Sequence, residues 1–202
     1  MKTRLLTFGC VMLLLASCNK QLETTAVPPT EATADSTGAV TKEYVEYNIK
    51  KGEQYCDKNS YTQIKYPELA FKVNFDSSAI YTTVSHSNQN DINKLYGFSD
   101  NNAAHHDFSA RFGWRWSNNA LRLFAYTYNN GVMDFKELGT VAIGAENDCS
   151  IKVANELYIF TLNGSVTTMA RASTTSEAEG YQLYPFFGGT ETAPHDIHIW
   201  IK

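Results

Sequence analysis

HDFSARFGWRWSNNALRLFAYTY, residues 106–128, decides the fold, because its two halves pair in only one sensible register. If Asn118 and Asn119 form a two-residue turn, Trp116 falls opposite Leu121, Trp114 opposite Leu123 and Phe112 opposite Ala125. All partners on that face are apolar, and a slip of one residue would send each of them to the other side. The same register assigns Asp107, Ser109, Arg111 and Arg115 to the opposite face, beside Arg122, Phe124, Tyr126 and Tyr128. Arg115 then lies directly across from Arg122, a pairing that destabilises unless an anion or a carboxylate sits between them. One ribbon thus offers an apolar face to a core and a second face of guanidinium and phenol groups.

Alternating segments continue on both sides of this hairpin. LAFKVNF (69–75), AIYTTVSH (79–86), ELYIFTL (156–162), SVTTMARA (165–172), YQLYPFF (181–187) and DIHIWI (196–201) read as short strands between Asn, Gly, Asp and Ser turns. Asn163-Gly164 predicts a type I′ hairpin that places Glu156 opposite Arg171 as an ion pair. No segment keeps a 3.6-residue period, and QNDINKLYG (89–97) is at most one helical turn. Regularly spaced strands without helices predict an all-β, antiparallel sandwich. In the last strand Ile197, Ile199 and Ile201 alternate inward, so Asp196, His198 and Trp200 project the other way and could join the arginine face, Asp196 as a carboxylate for one arginine. Gly188-Gly189 and Pro194 mark a sharp loop before it.

The net charge of −4 and pI near 5.7 argue against a broad polyanion-binding surface, so no nucleic-acid partner is expected. Aromatic residues make up 13% of the chain and charged residues 19%, the balance of a folded β-rich exported domain. Residues 44–202 suffice for one domain with a sizeable core.

The N-terminus has a different character. MKTRLLTFGCVMLLLASC (1–18) combines a basic start, an apolar run too short for a permanent span and small residues ahead of a cysteine. LLASCNK (14–20) resembles the bacterial lipobox, which implies a signal peptide over residues 1–17 and a lipidated Cys18. Asn19 follows it, so the Asp associated with inner-membrane retention is missing and the outer membrane is the expected location. QLETTAVPPTEATADSTGAVTK (21–42) has too few large apolar residues to repay the entropy of ordering, and residues 18–43 read as a tether. Such a linker holds a domain roughly 25–30 Å from the membrane on average. Within it, Asp35-Ser36-Thr37 resembles a short O-glycosylation signal of Bacteroidota envelope proteins. Cys10 leaves with the signal, and the remaining Cys56 and Cys149 either pair in the oxidising envelope or stay as two buried thiols.

With these residues in view, the domain resembles the jelly-roll sandwiches of the concanavalin A-like lectin and glucanase superfamily, through its strand spacing, the ELYIFTLNG hairpin and the closing apolar strand. More narrowly, RFGWRW, RLFAYTYNNG and the YPFFGGTETAPHDI block are similar to stretches of Bacteroidota lipoproteins with no assigned activity. The resemblance implies a sandwich fold and room for a structural calcium, though no loop declares one, and no other cofactor is expected. The Glu-x-Asp-x-x-Glu of the glucanase members is absent, as is a Gln-x-His paired with an Arg-rich strand of the alginate-lyase kind. Dinucleotide, phosphate-loop, GxSxG and HExxH motifs are also absent. His105, His106 and Asp107 invite a metal reading, but adjacent strand residues point to opposite faces.

Three functions compete for the arginine face. The first is a membrane-tethered, non-catalytic glycan-binding module, in which Arg111, Arg115 and Arg122 pair with the carboxylates or sulfates of an acidic glycan while Tyr126, Tyr128, His198 and Trp200 contact sugar. The second is a polysaccharide lyase: one of those arginines neutralises a uronate, and Tyr126, Tyr128 or His198 moves the proton in β-elimination. The third is an envelope subunit whose aromatic face meets another protein. A structural reading competes with all three: a neighbouring strand supplies Asp or Glu and the arginines are internal.

Overall fold

The computed structural model describes residues 43–202. The signal segment, Cys18 and the tether up to residue 42 lie outside the described residues.

Twelve strands build two six-stranded antiparallel sheets. The first sheet runs β1 (Val45–Ile49), β12 (Ile197–Ile201), β3 (Glu68–Phe75), β8 (Asn147–Ala154), β9 (Leu157–Leu162), β10 (Ser165–Ala170). The second runs β2 (Gln63–Tyr66), β11 (Ala178–Leu183), β4 (Asn93–Ser99), β5 (Phe108–Ser117), β6 (Ala120–Asn129), β7 (Val132–Val141). The chain alternates between the two layers over β1–β4 and again over β10–β12, while β4–β7 and β8–β10 run as antiparallel meanders within one sheet each, and the fold is the jelly-roll β-sandwich.

The decisive hairpin forms in the expected register. Trp116 pairs with Leu121, Trp114 with Leu123, Phe112 with Ala125 and Arg115 with Arg122. Asn118 and Asn119 both take positive φ, 50° and 54°, as a type I′ turn requires. Phe112, Trp114, Leu121, Leu123 and Ala125 are all fully buried between the sheets. Phe112 packs edge-on to Phe71 and Phe160 of the facing sheet, both at 5.4 Å between ring centres, an arrangement that suits the ring quadrupoles. Asn163-Gly164 likewise closes the β9–β10 hairpin, with Leu162 opposite Ser165.

Several expectations change. AIYTTVSH is not a strand: a 3-10 turn at Ser77–Ala79 leads into irregular chain. The reason is Gln89, whose amide oxygen accepts from Thr83 N while its nitrogen donates to the carbonyls of Tyr81 and Trp116. A side chain therefore serves backbone groups that a ladder would have served. Tyr81 still buries its ring, edge-on to Trp114 at 5.7 Å and to Phe187 at 4.9 Å. QNDINKLYG contributes only the end of a 3-10 turn, His86–Asn90, before it enters β4. Cys56 and Cys149 are both buried free thiols, so no disulfide joins them here, and burial pushes the Cys56 thiol up to about 11. Glu156 does lie opposite Arg171, whose backbone N–H donates to its carbonyl at 2.8 Å. The Arg171 side chain turns away, however, into a fully buried bond with Asp100 at 2.8 Å.

Candidate functional site

The outer face of the second sheet carries a cleft of about 690 Å³. Its floor comes from three adjacent strands: Lys94 on β4, Arg111 on β5, and Tyr126 and Tyr128 on β6, with Tyr126 directly across from Arg111. A β-bulge between Lys94 and Gly97 sets how β4 approaches Arg111. Only glycine fits at 97, since a Cβ there would collide with the Ala110 carbonyl and the Arg111 Cβ. One wall is the loop before β5, bearing His105 and His106; Tyr181 of β11 and the Tyr184–Gly189 loop form another. Tyr55 and Tyr61 overhang the opening, their rings 4.9 Å from Phe186 and 5.3 Å from Tyr181 respectively, and remain 65% and 75% exposed.

The charges on this floor are unbalanced. Arg111 is 6% exposed, its Nε has no hydrogen-bond partner, and among the described residues it forms no ion pair. Its guanidinium lies 5.8 Å from the Tyr126 ring centre, a cation–π contact that offsets part of the desolvation. Burial lowers it to about 10, still protonated at neutral pH. Lys94 stands over the same ring at 5.1 Å and donates to the Gly188 carbonyl at 3.2 Å. Burial, reinforced by repulsion from Arg111, lowers it to about 8. A desolvated cation without a counter-charge is costly, and the buried Arg111 and half-buried Lys94 place two of them on one floor.

A second feature is the Tyr181–His105 pair. The His105 backbone N–H donates to the Tyr181 hydroxyl at 3.0 Å, and that hydroxyl meets His105 Nδ1 at 2.8 Å. Burial, Arg111 and His106 hold His105 down at about 4, so its ring is neutral. In the tautomer that carries its proton on Nε2, Nδ1 accepts the phenol hydrogen. His106 continues the aromatic wall, 4.3 Å from His105 and 5.2 Å from Tyr128 between ring centres.

The remaining expected residues divide. Arg111, Tyr126 and Tyr128 line the cleft. Arg115 and Arg122 share the sheet face but not the cleft. Arg122 bonds Glu137 of β7 at 2.7 Å, so a neighbouring strand does supply the carboxylate that the Arg115–Arg122 pairing demands. Arg115 lies 4.8 Å over the Phe124 ring and donates to Asn90 O at 2.8 Å and to Ser117 Oγ. His198 and Trp200 do not join the arginine face, because β12 pairs with β1 and β3 in the first sheet. There His198 stacks on Trp200 and its Nδ1 meets Glu46 at 2.6 Å, while Asp196 pairs with Lys50 at 2.9 Å and not with an arginine. Lys94, His105 and Tyr181 were not singled out for this face from sequence. Among the described residues no group of three or more His, Cys, Asp or Glu side chains is arranged to hold a metal, His105, His106 and Asp107 included.

No protein-family model and no curated protein matches the chain. Among solved structures, the alginate lyase AlyC3 superposes with a TM-score of 0.56 at 9% identity, over 79% of this chain and 72% of that one. The same enzyme in complex with dimannuronate gives 0.51 at 11%, over 78% and 71%. The laminarinase catalytic domain from Thermotoga maritima gives 0.51 at 8%, over 78% and 74%. These neighbours are concanavalin A-like jelly-roll sandwiches, and the likeness is one of fold.

Proposed function

We propose that the chain is a lipid-anchored cell-envelope protein that binds acidic glycan in the cleft of its second sheet, without cleaving it. The observation that carries this reading is the buried Arg111 guanidinium on the cleft floor, which lacks a carboxylate of its own and has tyrosine faces around it. A uronate or sulfated sugar supplies both complements at once: an oxyanion for the fork and an apolar ring face for stacking. A neighbour of the same fold that holds dimannuronate supports the choice of ligand class. The anchor is Cys18, and the outer membrane is the proposed location. Metabolic labelling with a lipid probe should mark the wild-type chain, and Cys18→Ala should abolish the label.

The binding experiment is affinity-gel retardation on alginate, pectin and glycosaminoglycan gels. Retardation is expected on at least one acidic gel, weakening as salt is added, with none on neutral β-glucan. Equal retardation on neutral glycan would overturn the reading.

The Tyr181–His105 pair favours a second reading, a lyase. There Arg111 neutralises the carboxylate beside the scissile bond, and Tyr181, oriented by His105, removes the proton α to that carboxylate as the C–O bond to the leaving sugar breaks, then returns the proton to the departing glycosidic oxygen. Absorbance from unsaturated uronate, lost in Tyr181→Phe, would establish it. Unchanged absorbance beside clear retardation would establish the non-catalytic module.

A further inference from the structure

We infer that Lys94 and Arg111 together grip one oxyanion substituent of the ligand, and that Lys94 makes this recognition proton-linked. The inference deepens the glycan-binding reading and rests on it. Both cations stand over one ring, that of Tyr126, at 5.1 and 5.8 Å, so they frame a common volume above β6. Neither has a carboxylate in contact among the described residues. Lys94 keeps two of its three protons free after the bond to Gly188 O, and Arg111 keeps Nε unpaired.

The charged and titratable groups facing Lys94 are few. Arg111 on β5 repels it, Asp91 in the loop before β4 attracts it without forming an ion pair, and Tyr126 on β6 presents its ring. The loop after β11 contributes a carbonyl dipole and no charge at Gly188. Desolvation therefore dominates and lowers the free ammonium to about 8. An oxyanion seated between the two cations favours the charged form and raises Lys94 again.

The linkage has a definite sign. Below about pH 8 Lys94 is charged with or without ligand, and affinity does not depend on its proton. Above that, Lys94 is neutral in the empty cleft and must take up a proton as ligand binds, so affinity falls as pH rises. Arg111, lowered only to about 10, stays mostly protonated over this range and retains part of the grip. The chemistry recognised is an oxyanion, carried as a uronate carboxylate or a sulfate ester.

Isothermal titration calorimetry of the purified protein from pH 6.5 to 9.5 tests this, with an oligouronate in one arm and a sulfated, uronate-free oligosaccharide in the other. The wild type should show flat affinity up to about pH 8, then a loss approaching tenfold per pH unit. At pH 9, titrations in two buffers of different ionisation enthalpy should reveal uptake of up to about one proton. Lys94→Gln should bind about 10-fold or more weakly at pH 7, with no fall above pH 8. The arm that shows the slope identifies the oxyanion. Acidic glycan bound with no slope and no proton uptake, or a slope retained in Lys94→Gln, overturns the two-cation subsite and leaves the glycan reading standing. Binding of neither probe overturns both. The wild-type proton count decides the matter even if the variant fails to fold.

Discussion

Replacing Arg171 by methionine is expected to cost the domain about 3–5 kcal/mol, the penalty for leaving a buried charge without its partner. Asp100 is fully buried, and its carboxylate receives Arg171 Nε at 2.8 Å, Tyr158 OH at 2.7 Å and the backbone N–H groups of Asn101 and Glu179. Arg171, 4% exposed, is spent in turn on Thr175 and Glu177 carbonyls and on the Ser173 and Thr175 hydroxyls. The network ties the end of β4 to the chain leaving β10, and so pins the two sheets at one end of the sandwich. Burial raises Asp100, but the bonds from Arg171 and Tyr158 outweigh it and hold the carboxyl below its usual range. Stability from this group is therefore complete above the ordinary carboxylate range and is lost as pH falls through the lowered value. Thermal melts at pH 7 should show a drop of roughly 10 °C, at a few degrees per kcal/mol for a domain of this size. The gap between wild type and variant should narrow as the pH is taken below about 4. A change under 1 kcal/mol at pH 7 would mean that the network does not hold the sheets together.

Residues 106–128 were readable because local chemistry overdetermines them: a two-residue Asn-Asn turn fixes the register, and only one register gives an apolar face. The Asn163-Gly164 hairpin was readable for the same reason. Alternation also identified which side of β12 is buried, but it says nothing of which sheet a strand joins. His198 and Trp200 were therefore oriented correctly and still assigned to the wrong layer. β7 was missed because most of its residues are exposed, leaving no alternation to read. Lys94 was hidden by a bulge and by a polar run ahead of it that mimicked a helical turn. The Tyr181–His105 pair brings together residues 76 positions apart, which only the assembled sheet can do. Glu156–Arg171 shows the converse: the backbone register was legible, while the fate of the guanidinium depended on Asp100, 71 residues distant.

Arg111→Met should do the opposite of Arg171→Met to stability and far worse to binding. Both arginines are buried, at 6% and 4% exposure, but Arg171 is fully bonded and Arg111 keeps Nε unpaired with no ion pair among the described residues. In the empty protein the Arg111 charge is a net cost, because the loss of hydration is answered only by the Tyr126 ring and not by an anion. Methionine keeps the length and apolar stem that pack against the Gly97 bulge, and removes the charge. The expected gain is about 1–3 kcal/mol, a rise of several degrees in Tm. With ligand the balance reverses, since the cost of desolvating the guanidinium has already been met in the folded state and binding adds the missing counter-charge. Losing that contact should weaken acidic-glycan binding by about 2–5 kcal/mol, or roughly 30-fold to several thousand-fold. Its salt dependence should shrink as well. The two readouts together separate function from architecture. A variant that melts lower than wild type would show that Arg111 is a structural residue with internal partners, whereas one that is more stable yet fails to bind is the signature of a charge kept in place for a ligand.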